Sequence, residues 1–145
     1  MKKNILYIFA LVAFLVSCGG SNDKVIGLND IPNVGQSFIN KHFSGLKVSQ
    51  TVKDNDGSYD VRFTNGTEVD FDTQGNWTSV SAADGQVIAD TSFIPDAITS
   101  YVAQNYPKNG INGIEKTITG YEVELVGLAQ ELTFDKNGNF TGLKK

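Results

Sequence analysis

The sequence has little of several residue types on which enzyme chemistry and metal binding depend. Its 145 residues include a single Cys, a single His and a single Trp. One Cys cannot form an intramolecular disulfide, and one His cannot supply a cluster of imidazole ligands. No Ser stands in a nucleophile-elbow pattern. We therefore expect a protein that is not an enzyme and that uses no cofactor and no metal.

Basic residues are also too few to balance the acidic ones. The chain has 12 Lys and Arg against 16 Asp and Glu, a formal net charge of −4. An acidic protein is repelled by the phosphates of nucleic acids and by anionic lipid headgroups. We expect no nucleic-acid partner and no direct electrostatic binding to a membrane.

The start of the chain has the layout of an export signal. A short basic start precedes an apolar run over residues 5–16, which is too short to span a bilayer comfortably. Residues 1–17 are therefore predicted to be a signal peptide. The run ends in Leu-Val-Ser-Cys, which resembles a bacterial lipobox, so Cys18 is the expected lipid attachment site. An ordinary signal followed by a free Cys is the alternative.

This start predicts an exported protein held in the cell envelope by its lipid anchor alone. Residues 18–29 are expected to form a flexible tether, because the first of them are small and polar. Whether the protein faces the periplasm or the outside is left open by the sequence.

Two long segments of the remaining chain are similar to each other. Tyr59 to Trp77 matches Tyr121 to Phe140, and an Ile-Pro pair occurs at the start of both halves. Several matched blocks keep the same order at an offset of 62 or 63 residues. The sequence thus predicts two tandem repeats, at residues 30–81 and 94–145, joined by a crossover linker at 82–93.

Each repeat is predicted to be one helix followed by four strands. Apolar residues at helical spacing follow each Ile-Pro pair; in the first half they are Val34, Phe38, Ile39 and Phe43. The runs beyond them alternate apolar and polar residues, as in antiparallel strands with one covered face. The expected fold is α+β, with a continuous eight-stranded antiparallel sheet and both helices packed on one face.

The alternation also predicts the hairpin registers. Strand partners must keep apolar side chains on one face, which places Trp77 and Phe140 inward. Gly75 is expected in the left-handed conformation of a three-residue loop. The predicted partners are Phe63 with Val69 about loop 65–67, Leu125 with Leu132 about a loop of even length, and Phe71 with Trp77 about loop 73–75.

The polar face of the strands is the main candidate for function. It is predicted to carry acidic side chains in both halves, with Arg62 opposite Asp70 and Glu122 opposite Asp135. The interpretations are a solvated acidic face, a docking face for a basic partner, or a weak cation site. The candidate residues are Asp60, Arg62, Glu68, Asp70, Glu122, Glu124 and Glu131.

Two further motifs have ordinary structural interpretations. The run Asp54-Asn55-Asp56-Gly57 suggests a calcium loop, but it lacks the full ligand spacing and is better explained as a turn. His42 is expected near the end of the first helix, as a surface or capping residue rather than a catalytic one.

The Tyr-acidic-Val strand, the Gly-Asn-aromatic turn and the Ile-Pro helix start resemble the PepSY-like, beta-lactamase-inhibitor-like envelope proteins of Bacteroides-type bacteria. The resemblance covers residues 30–145. It implies an antiparallel sheet with helices on one face and a secreted or lipid-anchored location. The inhibitor relatives bind a protein through the open sheet face and loops.

We therefore expect a non-catalytic envelope lipoprotein that acts as a protein-binding or inhibitor-like module, with an unidentified envelope protein as partner. A small cation-binding structural lipoprotein and a small envelope hydrolase are the alternatives.

Overall fold

A single antiparallel sheet forms the frame of the molecule. The computed structural model describes residues 22–144, so the expected signal peptide and Cys18 lie outside the described residues. The nine strands lie in chain order, each paired with the next. They are β1 (Lys24–Ile26), β2 (Val48–Lys53), β3 (Tyr59–Phe63), β4 (Glu68–Phe71), β5 (Trp77–Ser81), β6 (Ile111–Lys116), β7 (Gly120–Leu125), β8 (Glu131–Asp135) and β9 (Phe140–Lys144).

The sheet has one strand more than the eight expected. β1 pairs with β2, with Val25 opposite Val52, and a 3-10 turn follows at Leu28–Asp30. β1 and the first two residues of the 3-10 turn lie inside residues 18–29, which were expected to be a tether. A strand of three residues is too short to show an alternating pattern in the sequence. β1 was therefore missed, and the expectation of a tether was wrong for these residues.

Two helices pack on the same face of the sheet. They are α1 (Asn33–His42) and α2 (Asp96–Asn105). Ile39 of α1 and Ile98 of α2 are buried in one core cluster with inward residues of the sheet. Val34 is 55% exposed, so its predicted place on the apolar face of α1 was wrong.

Gly35 takes the inward position on α1 instead of Val34. A Cβ added at Gly35 would lie 3.3 Å from a ring carbon of Phe71 and 3.4 Å from the backbone oxygen of Gly75. The helix therefore lies close to the sheet because this residue has no side chain.

The predicted inward direction of Trp77 is confirmed. Its ring stacks on Phe38 at 6.1 Å between centroids and meets Phe93 edge-on at 5.2 Å. Phe140 lies in the corresponding place on β9 and stacks on Tyr101 of α2 at 4.5 Å. Each half of the sheet thus carries an aromatic contact to its own helix.

Four hairpins close with the same three-residue loop. In each, the residue before the loop and the residue after it form a backbone hydrogen bond, and the third loop residue is a Gly with a φ of 82° to 88°. This is the turn predicted for Gly75, and the partners Phe71 and Trp77 are confirmed. The four loops are residues 55–57, 64–66, 73–75 and 136–138.

Two predicted registers were wrong, each by two residues. Val61, not Phe63, lies opposite Val69, and Val123, not Leu125, lies opposite Leu132. A shift of two residues leaves every side chain on the same face, so the apolar pattern fits both registers equally. The loop after Phe63 is residues 64–66 rather than 65–67.

The two halves of the sheet join where β5 pairs with β6. Val80 lies opposite Ile114, and both are fully buried. The crossover between β5 and α2 is held to β6 by Asn112, whose side-chain amide donates to the backbone oxygens of Ala82, Ala83 and Gln86 at 3.4, 2.9 and 2.7 Å. The sheet is continuous, as predicted, while the internal sequence repeat stays a prediction.

Candidate functional site

The face of the sheet opposite the helices, here called the open face, is where the charged side chains lie. One row of cross-strand partners crosses it from the first strand to the last. Neighbouring strands in a sheet lie about 4.7–4.9 Å apart, so adjacent members of this row are close neighbours. The row is Val25, Val52, Asp60, Asp70, Ser79, Glu115, Glu122, Thr133 and Gly142.

All seven predicted face residues lie on the open face, but two predicted pairs were wrong. Arg62 lies opposite Glu68 rather than Asp70, with its Nε 3.2 Å from Glu68 Oε1. Asp60 is then the residue opposite Asp70, which puts two carboxyl groups on adjacent strands. The two-residue register shift of the hairpin is the cause.

The same shift changes the predicted pair in the second half. Glu122 lies opposite Thr133, not opposite Asp135. Asp135 closes the last hairpin instead, where its Oδ1 accepts from the backbone N–H groups of Asn137 and Asn139 at 2.9 Å each. The hydrogen bond from the Asn139 side-chain amide, followed by those from the backbone N–H groups, lowers the pKa of Asp135, so this carboxylate belongs to a turn.

Carboxyl groups crowd together on β3 and β4. Burial, and next the charge of Asp54, raises the pKa of Asp60 to about 6. Burial, and next the charge of Asp60, raises the pKa of Asp70 to about 7. Arg62 is the cation that acts on both carboxyl groups. We call Asp54, Asp60, Glu68 and Asp70 the β3–β4 carboxyl cluster.

A second group of carboxyl groups lies on β6, β7 and β8. Burial, and next the charge of Glu122, raises the pKa of Glu115. Lys144 of β9 partly balances this group, with its Nζ 2.5 Å from Glu122 Oε2 and 3.4 Å from Glu131 Oε2. Burial, followed by the charge of Glu131, raises the pKa of Glu124.

The strand between the two groups is uncharged. Ser79 and Ser81 of β5 face the same side as Asp70 and Glu68, their partners on β4. The open face therefore presents two acidic areas separated by one strand of hydroxyl groups. A partner with cationic side chains at two places would match this distribution of charge.

Two depressions lie on the open face, one in each half. The larger, of about 420 Å³, is lined by Asp60 and Asp70 together with hydroxyl groups such as those of Ser58 and Thr78. The smaller, of about 260 Å³, lies beside Glu122. Both offer oxygen atoms to a ligand, and the larger is lined by four carboxyl groups against two in the smaller.

Sequence reasoning missed two members of this face. Glu115 stands on β6, whose run Ile-Asn-Gly-Ile-Glu-Lys shows weak alternation because Asn112 and Gly113 are both buried. Asp54 was assigned to a turn alone, although its charge also raises the pKa of Asp60. The alternation of Ile114, Glu115 and Lys116 was the signal in the sequence that could have identified Glu115.

His42 is buried in a structural contact rather than exposed, so its predicted surface position was wrong. Its side chain is 6% exposed, and its Nδ1 lies 2.7 Å from Asp90 Oδ2 of the crossover. Ser92 Oγ lies 3.4 Å from the same nitrogen. A catalytic triad needs the Ser on one ring nitrogen and the Asp on the other, so these three side chains do not form one.

The suspected calcium loop at residues 54–57 is a hairpin turn. Asp56 Oδ1 accepts hydrogen bonds from the backbone N–H and the hydroxyl of Ser58, at 2.9 and 2.5 Å. Over residues 22–144, no group of three His, Cys, Asp or Glu side chains is arranged to hold a metal ion. In the same part of the chain, no helix is long and apolar enough to cross a membrane.

Comparison with known proteins places this fold in a recognised group. A family model described as "Putative beta-lactamase-inhibitor-like, PepSY-like" matches residues 57–142. No curated protein matches the chain.

Three solved structures from Bacteroides are similar over most of the chain. A putative calcium-regulated periplasmic protein from Bacteroides thetaiotaomicron is 37% identical, with a TM-score of 0.78, covering 85% of this chain and 97% of its own. A putative periplasmic protein of the DUF2874 family from Bacteroides vulgatus has the same identity and TM-score, covering 88% and 100%. A putative periplasmic protein of unknown function from Bacteroides vulgatus is 32% identical, with a TM-score of 0.76, covering 85% and 99%.

Proposed function

Because this chain belongs to the PepSY-like, beta-lactamase-inhibitor-like family, we propose that it is a binding module of the cell envelope that docks a cationic protein surface on its open face. One observation carries the proposal. The helices cover only one side of the sheet, and the other side presents two acidic areas in a single row of strand partners. A sheet face left uncovered by its own helices is available to a partner.

Charge complementarity supports a cationic partner. Asp60, Asp70, Glu115 and Glu122 lie in one row, and the serine strand β5 divides them into two pairs. Complementary charges across an interface speed association and select against wrong partners. The positions of Lys144 and Arg62 leave the acidic excess of this face uncancelled, since each faces more than one carboxyl group.

The start of the sequence and the relatives support a place in the envelope. Residues 1–17 have the layout of a signal peptide, and Cys18 stands where a lipobox would be acylated. All three similar structures reported above are of proteins described as periplasmic. We propose that this protein is exported and attached to a membrane through lipid on Cys18. Cell fractionation of a Cys18→Ser variant tests the anchor. If lipid on Cys18 attaches the protein to the membrane, the variant must move from the membrane fraction to the soluble fraction.

Crosslinking in whole cells, followed by affinity capture, tests the docking face. The partner crosslinked to the wild-type protein is expected to be lost when Asp70, Glu124 and Glu131 are all changed to Lys. Neutralising the same residues to Asn, Gln and Gln is expected to weaken capture less, because no repulsion is added.

A control variant distinguishes docking on the open face from a general effect of added positive charge. Asn40→Lys, Ala103→Lys and Gln104→Lys add positive charge to exposed positions on the helices. This variant is expected to capture the partner as well as the wild type does. Equal capture by the open-face reversal and the wild type would contradict the proposal.

Calcium binding is a second candidate, favoured by one relative. The Bacteroides thetaiotaomicron protein is described as calcium-regulated, and the β3–β4 carboxyl cluster places Asp60 opposite Asp70. A divalent cation would relieve the repulsion between them. Calcium is expected to raise the melting temperature of the wild type but not of Asp60→Asn or Asp70→Asn, with magnesium as the comparison ion. An equal effect of calcium on all three proteins would exclude this cluster as the binding place.

A further inference from the structure

The connections between the strands are divided between the two ends of the sheet. Because the strands are antiparallel and lie in chain order, every second connection lies at the same end. The loop at residues 64–66 and the start of the crossover lie at one end, where a Cβ added at Gly66 would lie 2.8 Å from Ala83 Cβ. The opposite end, which we call the hairpin end, carries the loops at residues 55–57, 73–75, 117–119 and 136–138.

The first described residues also lie at the hairpin end. Lys24 lies opposite Lys53, the last residue of β2. A carboxylate oxygen of Asp23 accepts a hydrogen bond from the backbone N–H of Asn55 at 3.2 Å. Asp23 comes five residues after Cys18, and a chain of that length reaches at most about 18 Å. Lipid on Cys18 would therefore hold this edge of the hairpin end close to the membrane.

Ile118 lies at the tip of the hairpin between β6 and β7 and is the most exposed large apolar side chain of the described residues, at 92%. The Thr117 N–H donates to the backbone oxygen of Gly120 at 2.9 Å, and the Gly120 N–H donates to Thr117 Oγ1 at 3.1 Å. The hydroxyl groups of Thr117 and Thr119 lie 3.3 Å apart. This short, hydrogen-bonded turn holds Ile118 outward from the protein.

Two further exposed apolar side chains lie at the same end. Val34 is 55% exposed in the first turn of α1, which approaches loop 73–75 through Gly35. Phe140 is 36% exposed and begins β9 just after loop 136–138. Single apolar residues are ordinary on a protein surface. These side chains differ because they lie at the end from which the proposed anchor leaves the domain.

Charge favours the hairpin end over the open face as the side that meets lipid. The open face has an excess of carboxyl groups, which anionic headgroups repel. At the hairpin end, by contrast, exposed Lys24, Lys53 and Lys136 lie among the turn carboxylates, such as those of Asp56 and Asp135. The contact expected there is therefore apolar, on neutral lipid, without added attraction from anionic headgroups.

We propose that the anchored protein stands on its membrane through the hairpin end, with Ile118 entering the apolar edge of a neutral lipid surface. This inference rests on the anchor at Cys18 in the proposed function and is independent of the docking partner. The β1 edge and Ile118 form two contacts about 25 Å apart, measured across the strands between them. The two contacts set the tilt of the sheet, and the open face stands upright with both acidic areas accessible from the side.

Fluorescence quenching on the lipidated full-length protein tests this orientation. Lipid occupies the single Cys, so a Cys introduced at Gln74 of the hairpin end or at Asp84 of the far end is the only site for a thiol-reactive dye. The strands separate these two positions by about 20 Å. In phosphatidylcholine vesicles that contain a lipid spin-labelled near its headgroup, we expect strong quenching of the dye on Gln74→Cys and weak quenching on Asp84→Cys.

A second substitution in the Gln74→Cys protein tests the role of Ile118. Ile118→Ser is expected to reduce the quenching by at least about twofold, because it removes apolar area from the lipid contact. The matched Val87→Ser removes a side chain that is 52% exposed at the far end, and it is expected to leave the quenching unchanged.

Three results would overturn the inference, and each has a different meaning. Equal quenching of the two dyes, on protein that floats with the vesicles, would exclude the orientation and leave the anchor standing. Protein that does not float with the vesicles would show that the proposed anchor fails, and the orientation with it. If Ile118→Ser leaves the quenching unchanged but loses the partner crosslinked in whole cells, Ile118 contacts a protein and not lipid.

Discussion

At the scale of single residues, Asp70 is the group whose ionisation the fold opposes most clearly. Burial and the charge of Asp60 raise its pKa to about 7, above the value in an unfolded chain. The folded protein then binds more protons than the unfolded one between about pH 4 and pH 7, so the contribution of this group to stability falls as the pH rises through that range.

Asp70→Asn is therefore expected to stabilise the protein at pH 8 and to change it little at pH 4. The gain at pH 8 should be on the order of 1–3 kcal/mol in the free energy of unfolding. Urea denaturation at the two pH values measures it. A matched Asp72→Asn should not show the gain, because Asp72 accepts from the N–H groups of Gln74 and Asn76. A gain that does not depend on pH would contradict the explanation.

Gly75 is a residue where conformation and contact both exclude a side chain. Its φ is 85°, and an added Cβ would lie 2.8 Å from Pro32 Cβ. Gly85 has a φ of 73° and nothing within 4 Å of an added Cβ. Gly75→Ala is expected to lower the free energy of unfolding by about 2–4 kcal/mol, and Gly85→Ala by about 1–2 kcal/mol. Equal losses by thermal or urea unfolding would show that the contact with the start of α1 contributes nothing.

At the scale of elements, the crossover between β5 and α2 depends on one side chain. The Asn112 amide holds three backbone oxygens of that segment, whereas the Asn109 amide holds the oxygen of Val126 at 2.8 Å. Asn112→Ala is expected to lower the free energy of unfolding by about 2–4 kcal/mol, and Asn109→Ala by about 1 kcal/mol. Hydrogen exchange of the Ile88 amide, which donates to Ile111, should speed up only in the first variant.

The contact of α1 with the crossover gives a second test at this scale. His42 and Asp90 meet at 2.7 Å although they are far apart in the chain. A double-mutant cycle with His42→Asn and Asp90→Asn is expected to give a coupling energy of about 0.5–1.5 kcal/mol near neutral pH. Additive losses would mean that the two residues act independently.

The hairpins show which part of an element the sequence can predict. On β2, where a bulge lies between Val48 and Gln50, alternation of apolar and polar residues gave the wrong faces: Val52 lies on the open face, and Thr51 lies opposite the buried Val61. On the later strands alternation assigned the candidate side chains to the correct face, which is why all seven candidate residues lie on the open face. It could not choose between registers two residues apart, because both bury the same apolar set. The deciding residue was Thr67, which is buried beside Phe63 although it was taken as part of a loop.

Contacts between elements that are distant in the chain could not be predicted from the sequence, for a related reason. His42 meets Asp90 only because α1 and the crossover pack together, and no local pattern marks that pair. β1 was missed because its three residues gain their structure from β2. The paired carboxyl groups of Asp60 and Asp70 likewise depend on the exact register of β3 and β4.

At the scale of the whole molecule, the continuous sheet should make the two halves unfold together. Val80 and Ile114 are buried at the junction, and one core cluster includes residues of both helices. The fluorescence of Trp77, in the first half, and methyl NMR signals of Leu132, in the second, are expected to give one urea midpoint. Two separate midpoints would show that the halves are independent units.

The order of the strands also has a consequence for how fast the chain folds. Seven of the eight strand pairs join strands that follow each other in the chain, with only the 3-10 turn and α1 between β1 and β2. β5 and β6 are instead separated in the chain by the crossover and α2. Their pairing therefore closes a long loop, which has an entropic cost. Contacts between distant segments slow folding, so joining these two strands is expected to limit the rate. The slowest residues to gain protection in a refolding experiment should then be Val80 and Ile114, with the hairpins on either side already formed.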